Sequence, residues 1–337
     1  MISRVADSCF WLFRYMERVE NVARLLDVNL LLVLDANLKE HERWRPVLIV
    51  AGEEPRFVEA HSAKAADNAE RVQEYMTFDE RNPVSILSSL RWARENARGI
   101  REAISLEMWE ALNSFWLWLG ETGKRRFGSD KHDFYSRVKE QCALFHGLTH
   151  NTVMHNEPFN FMRLGMLLER ANQTARVLDV KYHAMGPTSA EKESLAESAE
   201  WLALLRSCSG YESFFKQPGA QLAGPAIAAF LLLEPDFPRS VLYCVSRAVN
   251  FMRRVRGSGN GPIGERSDTL IKAFNERLSA LTLQKLTSVE AGIHKECTRI
   301  VEETAAICDA IRLDFFDPPM PRMTELMTKG EMAQRQG

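Results

Sequence analysis

The chain has 337 residues, 45% of them hydrophobic and 26% charged, with a formal net charge of −2 and a pI near 6.5. That supplies enough apolar material for one large domain or two intimately packed ones with a substantial core, and the near-neutral balance excludes the overall basic field that favours nucleic acid. Six cysteines are scattered along the chain with no Cys-x-x-Cys pair, which is the pattern of reduced thiols.

The first element is a long helix over residues 7–37. Phe10, Leu12, Phe13, Met16, Val19, Ala23, Leu26 and Leu30 recur at helical spacing, and neither Pro nor Gly interrupts them. Residues 1–7 lack the basic start, long apolar stretch and cleavage site of a secretory signal, and the apolar run 30–34, bracketed by Asn29 and Asp35, is too short to cross a bilayer. A soluble, cytoplasmic protein with no membrane partner is expected. Residues 47–50 read as a buried helical turn rather than a strand. Further helices are expected over residues 55–76, 83–105, 106–120, 131–152, 158–185, 189–209, 225–233, 239–256, 266–286 and 289–315, several of them beginning at or just after Pro, Ser or Asp. Residues 123–128 and 257–262 read as exposed connections. The second is Gly-rich but lacks the spacing and the Gly-Lys-Ser/Thr ending of a nucleotide loop. After Asp317 the Pro-rich stretch 318–321 opens a tail, 317–337, expected to be mobile.

One helical phrase occurs twice. Glu17, Arg18, Ala23, Arg24, Leu26, Asp27 and Val28 return in register as Glu169, Arg170, Ala175, Arg176, Leu178, Asp179 and Val180, an offset of 169 − 17 = 152 residues. Pro83, Ser85 and Leu87 with Ala93, Arg98 and Arg101 are echoed by Pro238, Ser240 and Leu242 with Ala248, Arg253 and Arg256, an offset of 238 − 83 = 155 residues. The expectation is an all-α, multi-helix bundle built from two related helical repeats packed together, 1–155 and 156–316.

On a helix, Glu17, Asn21 and Arg24 form a stripe of carboxylate, amide and guanidinium, and Glu169, Gln173 and Arg176 repeat it. Arg18 and Arg170 sit about 100° around from the adjacent Glu. Two readings are open: a buried ion-pair network that docks the repeats, or a site for a small peptide or anionic ligand. Arg91, Arg94, Arg98 and Arg101 also share a helical face, together with Glu95 and Glu102; this is either a solvated salt-bridged face or an anion site, with Arg94, Glu95 and Arg98 as its candidates. His146 and His150 have metal-compatible i,i+4 spacing, but no third ligand or His-Glu-x-x-His pattern accompanies them, so neither metal nor cofactor is expected. No Cys or Ser carries a local signature pairing it with a base, and catalytic residues remain unassigned.

The segments 3–18, 93–98 and 161–170, with Glu-Arg at 17–18 and 169–170, resemble the bacterial alpha-E family, an all-helical domain named for its Glu-Arg motif; the resemblance covers residues 1–315. It implies association with circularly permuted ATP-grasp ligases and a transglutaminase-like peptidase. The function it suggests is a helical binding or accessory protein of an amide-ligase or peptide-modification system. The alternative is an enzyme acting on a small anionic or peptide substrate through the paired Glu-Arg helices.

Overall fold

The computed structural model describes residues 3–35, 38–39, 43–185, 195–257, 263–287 and 292–317. Among these residues every regular element is helical, as the periodicity predicts, and no helix is long and apolar enough to cross a membrane. Two elements dominate: α1, Ser3–Asp35, and α9, Glu157–Met185, with 33 and 29 residues.

Between them the chain runs through α2 (Arg45–Ala51), α3 (Glu54–Ala60), a 3₁₀ turn (Ala63–Asp67), α4 (Ala69–Phe78), α5 (Ile86–Arg98), α6 (Leu106–Trp118), α7 (Lys124–Ser129) and α8 (Lys131–Thr152). After α9 come α10 (Leu195–Ser207), α11 (Tyr211–Phe215), α12 (Gly224–Leu233), α13 (Val241–Arg256), α14 (Glu265–Ser279), α15 (Leu283–Thr287) and α16 (Gly292–Ile311). A π turn, Arg312–Phe316, closes the described chain.

Polar side chains decide where these helices begin. Asn68, Ser85, Ser105, Asp130 and Ser240 each accept a hydrogen bond from the backbone N–H three residues on, filling one of the four donors that a helix start leaves unpaired. Several sequence expectations are corrected by such local chemistry. The helix expected over 55–76 is split, because Ser62 caps the 3₁₀ turn and Asn68 restarts the chain as α4. The helix expected over 83–105 stops at Arg98; Arg101 therefore lies in a separate 3₁₀ turn, and the four-arginine face does not exist as one stripe. Residues 123–128 are not an exposed connection: a π turn, Leu119–Gly123, passes directly into α7, and Phe127 is buried against Phe134. The expected helix 266–286 divides into α14 and α15. Residues 189–194, 258–262, 289–291 and 318–337, on which the ends of two expected helices, a loop and the tail fall, lie outside the described residues.

Helices α1 and α9 pack on each other along the middle of the protein. α1 is flanked by α5 and α8, and α9 by α13 and α16. The two helices cross tightly at Gly165, where a Cβ would stand 2.2 Å from the Phe10 carbonyl oxygen, so only glycine permits this crossing. Phe10, Phe13, Met16, Val19, Ala23 and Leu26 of α1 and Leu164, Leu168, Ala171, Ala175 and Leu178 of α9 are almost wholly buried. With flanking helices on both sides, these two central helices also bury polar positions, Glu17, Glu20, Asp27 and Glu169 among them. Buried charge of this kind requires partners.

Candidate functional site

Those partners come from across the α1–α9 interface. Glu17 receives two hydrogen bonds from Arg170, Nε to Oε1 at 2.9 Å and Nη2 to Oε2 at 2.7 Å. Glu169 receives the reciprocal pair from Arg18, Nε to Oε1 at 2.7 Å and Nη2 to Oε2 at 3.2 Å. Each Glu-Arg dipeptide thus gives its acid to the other helix's guanidinium. The 100° step between adjacent residues makes this possible: each Glu points at the partner helix's Arg rather than at its own neighbour.

Each carboxylate has a second guanidinium. Arg14 donates to Glu169 Oε2 at 2.8 Å from Nε, and Arg239 donates to Glu17 Oε1 at 3.0 Å from Nη1 and also binds Glu20. Amides close the stripes: Asn21 donates to Glu17 at 3.4 Å and accepts from Arg239 at 2.9 Å, while Gln173 donates to Glu169 at 3.5 Å. Arg24 bonds Glu20 at 2.5 Å, and Arg176 uses its Nε on the Asn172 amide oxygen at 2.9 Å. The phrases end on Asp27 and Asp179, which take the Nδ1 atoms of His132 and His294 at 2.6 Å and 2.5 Å.

Electrostatics follow from this geometry. Burial alone would raise the Glu17 carboxyl, but Arg170 and Arg239 hold it well below the usual carboxylate range. Burial likewise opposes ionisation of Glu169, and Arg18 and Arg14 overcome it, bringing its pKa down to about 2. Both acids are fixed as anions at neutral pH. His146 lies beside them, with Nε2 3.9 Å from Glu17 and 4.0 Å from Glu20, and among the described residues neither of its ring nitrogens makes a hydrogen bond. Burial lowers its pKa more than the two carboxylates raise it, so the imidazole is neutral. Glu17, Glu20 and His146 bring potential ligand atoms within 4.8 Å of one another. A divalent ion there would face Arg170 and Arg239 at contact distance and compete with them for the same carboxylates, a poor fit for a metal centre.

Of the residues singled out from sequence, Glu17, Arg18, Asn21, Glu169, Arg170 and Gln173 meet in this centre, with Arg24 and Arg176 at its ends. Arg94, Glu95 and Arg98 do not join it. Arg94 bonds Asn113 at 3.0 Å and lies over the Trp109 and Trp116 rings, while Glu95 and Arg98 form an exposed pair at 3.4 Å. Sequence reasoning missed Arg14, Glu20, Arg239 and His146 as members. Arg14 precedes Glu17 by one helical turn, a signal that was available; Arg239 sits just before a capping serine and reaches the centre only through the tertiary fold.

A cleft of about 310 Å³ opens beside the Glu169 side of the centre. Arg14, Arg18, Gln173 and Arg176 line it, with Trp11 and Phe316 as aromatic wall and Asp309 and Arg312 also at the opening. On the Glu17 side Arg239, 11% exposed, occupies the corresponding approach.

A model of the Alpha-E family, described as a predicted alpha-helical domain with a conserved ER motif, matches residues 1–316. The chain belongs to the Alpha-E family. Of the Glu-Arg dipeptides in this Alpha-E chain, the two that lie in the repeated phrase, at 17–18 and 169–170, neutralise one another. The chain is also similar to an uncharacterized protein of Mycobacterium bovis and to uncharacterized proteins from two strains of Mycobacterium tuberculosis. Each is 22% identical over 324 residues, covering 88% of this chain and 35% of the relative. The Alpha-E chain thus spans about a third of the length of these curated relatives. No solved structure matches it.

Proposed function

We propose that the protein is a non-catalytic binding or accessory module of an ATP-grasp-type amide ligase or peptide-modification system, acting in the cytoplasm and needing no cofactor of its own. In this reading the halves 1–155 and 156–316 are related helical repeats, locked together by the exchanged Glu-Arg pairs. The observation that carries it is the saturation of both repeated carboxylates by guanidinium groups. A general acid or base works best with a pKa near the operating pH and a free lone pair toward substrate. Glu17 and Glu169 have neither, which supports the binding role over an enzyme built on the Glu-Arg helices. Ligase and peptidase partners are proposed from the Alpha-E membership.

The test uses purified full-length chain with and without an ATP-grasp ligase encoded beside it. The chain alone should release no phosphate from ATP, and should co-elute with the ligase on gel filtration or change its rate of amide formation. Turnover by the isolated chain that is lost in a folded Glu17→Gln or Glu169→Gln variant would replace this reading with the enzymatic one.

A further inference from the structure

The two copies of the helical phrase differ in charge at one step. Three and seven residues after Glu17 stand Glu20 and Arg24, which bond each other; three and seven residues after Glu169 stand Asn172 and Arg176. Asn172 is uncharged and already donates to Thr304 at 2.8 Å. The difference recurs at the second echo, where Arg239 precedes the capping Ser240 and Val84 precedes the capping Ser85. On the Glu17 side, Arg239 fills the approach and joins Glu17 to Glu20. Val84 lines the cleft on the Glu169 side and has no charge to offer.

The result is a half-buried guanidinium, Arg176, with only Asn172 on its Nε, no hydrogen bond on either terminal nitrogen, and no carboxylate within salt-bridge distance among the described residues. Beside it in the same cleft, Arg18 makes no hydrogen bond through Nη1 among the described residues, while its other two nitrogens hold Glu169. The cleft lining sets Arg14, Arg18, Arg176 and Arg312 against Glu169 and Asp309, a surplus of 4 − 2 = 2 positive charges. Burial also disfavours the charged form of Arg176.

We infer that this cleft binds a carboxylate-bearing peptide end, whose carboxylate takes the place that Glu20 fills on the other side by bridging Arg176 and Arg18. A planar carboxylate matches the guanidinium fork, and a site shielded from water strengthens the contact. Gln173 presents an amide to the adjoining peptide unit, and Trp11 and Phe316 give its side chains an apolar wall. The inference rests on the binding-module reading and names the ligand class.

Calorimetric titration of the full chain with N-acetyl-alanyl-alanine, its C-terminal amide and inorganic phosphate tests it. The acid should bind, at least tenfold more tightly than the amide and more weakly as salt rises. Arg176→Met should weaken the acid at least tenfold. Asn172→Glu, which keeps every arginine and supplies an internal carboxylate, should do the same; far-UV circular dichroism verifies that both variants are folded. No binding of the acid at millimolar concentration, equal binding of acid and amide, or unchanged binding by a folded Asn172→Glu variant overturns the site. Phosphate binding more tightly than the acid overturns the carboxylate assignment. Ligase capture is scored separately: equal capture by wild type and Arg176→Met, with the acid unbound by either, keeps the module and discards this cleft.

Discussion

Replacing Arg170 by Met removes both hydrogen bonds that it makes to Glu17 and leaves that carboxylate with no exposed surface on which water could substitute. Breaking a buried ion pair on one side costs about 3–5 kcal/mol, because the remaining charge stays desolvated. Here Arg239 still holds Glu17 Oε1 at 3.0 Å, and Asn21 also contributes, so the expected loss lies near the lower end, about 3 kcal/mol. Arg126→Met supplies the comparison: Arg126 and Asp133 pair at 2.9 Å, but their side chains are 56% and 50% exposed, and the change should cost about 0–1 kcal/mol. Urea unfolding followed by far-UV circular dichroism measures both, comparing midpoints at constant slope. Adding Glu17→Gln to Arg170→Met should cost less than the sum of the single changes, by about 0.5–3 kcal/mol. A loss for Arg170→Met no larger than that for Arg126→Met, or strict additivity of the double variant, would refute the account of the centre as a desolvated, mutually dependent pair.

Acid sensitivity follows from the same contacts. The folded Glu169 pKa, about 2, lies below its ordinary value of 4.5, so its stabilisation is complete above pH 4.5 and drains away as pH falls through 2, a total loss of about 3 kcal/mol of which urea midpoints at pH 6 and pH 3 should register about 2 kcal/mol. Glu17 and Glu20 are shifted in the same direction and steepen the decline. Gly165→Ala should destabilise by about 1–3 kcal/mol or more, since the new methyl meets a backbone oxygen that cannot rotate aside; an unchanged melt would show that the helix crossing is looser than described. The five buried thiols should be inert in the folded state. Cys9 is pushed up to about 12 and Cys244 likewise, both chiefly by burial, so a thiol-specific reagent should reach these five only in denaturant, and rapid labelling of the native protein at Cys9 or Cys244 would contradict the packing.

The all-helical class was legible because it rests on local periodicity, and α1, α8, α9 and α13 lie close to where their apolar spacing puts them. Breaks were legible where Pro, Gly or a capping Ser or Asp marks them, as at Ser105, which restarts the helix where the sequence puts a boundary. Asn68 restarts a helix through one side-chain hydrogen bond, and nothing in the apolar pattern distinguishes it from a polar residue inside a helix. The π turn before α7 hid Gly123 inside continuous helix, where it looks like a loop residue from sequence alone. At the centre, repetition revealed the acids and one guanidinium for each. Arg239 and His146 were invisible because no local spacing links residue 17 to residues 239 and 146; only the docking of α8 and of the start of α13 brings them there. The cleft was missed for a related reason: it arises from a difference between two similar phrases, and reading them for their likeness conceals it.

The exchange of acids between α1 and α9 also constrains the order of events during folding. Glu17 meets its guanidiniums at sequence separations of 153 and 222 residues, and Glu169 at 151 and 155. Contacts of such long range are entropically expensive to close and arrive late. While the chain emerges from the ribosome, α1 is complete long before Arg170 and Arg239 exist, so Glu17 must remain hydrated and α1 cannot settle into its final burial. Neither α1 nor α9 supplies a guanidinium to its own repeated acid, and α1 reaches its final burial only when α9 docks on it.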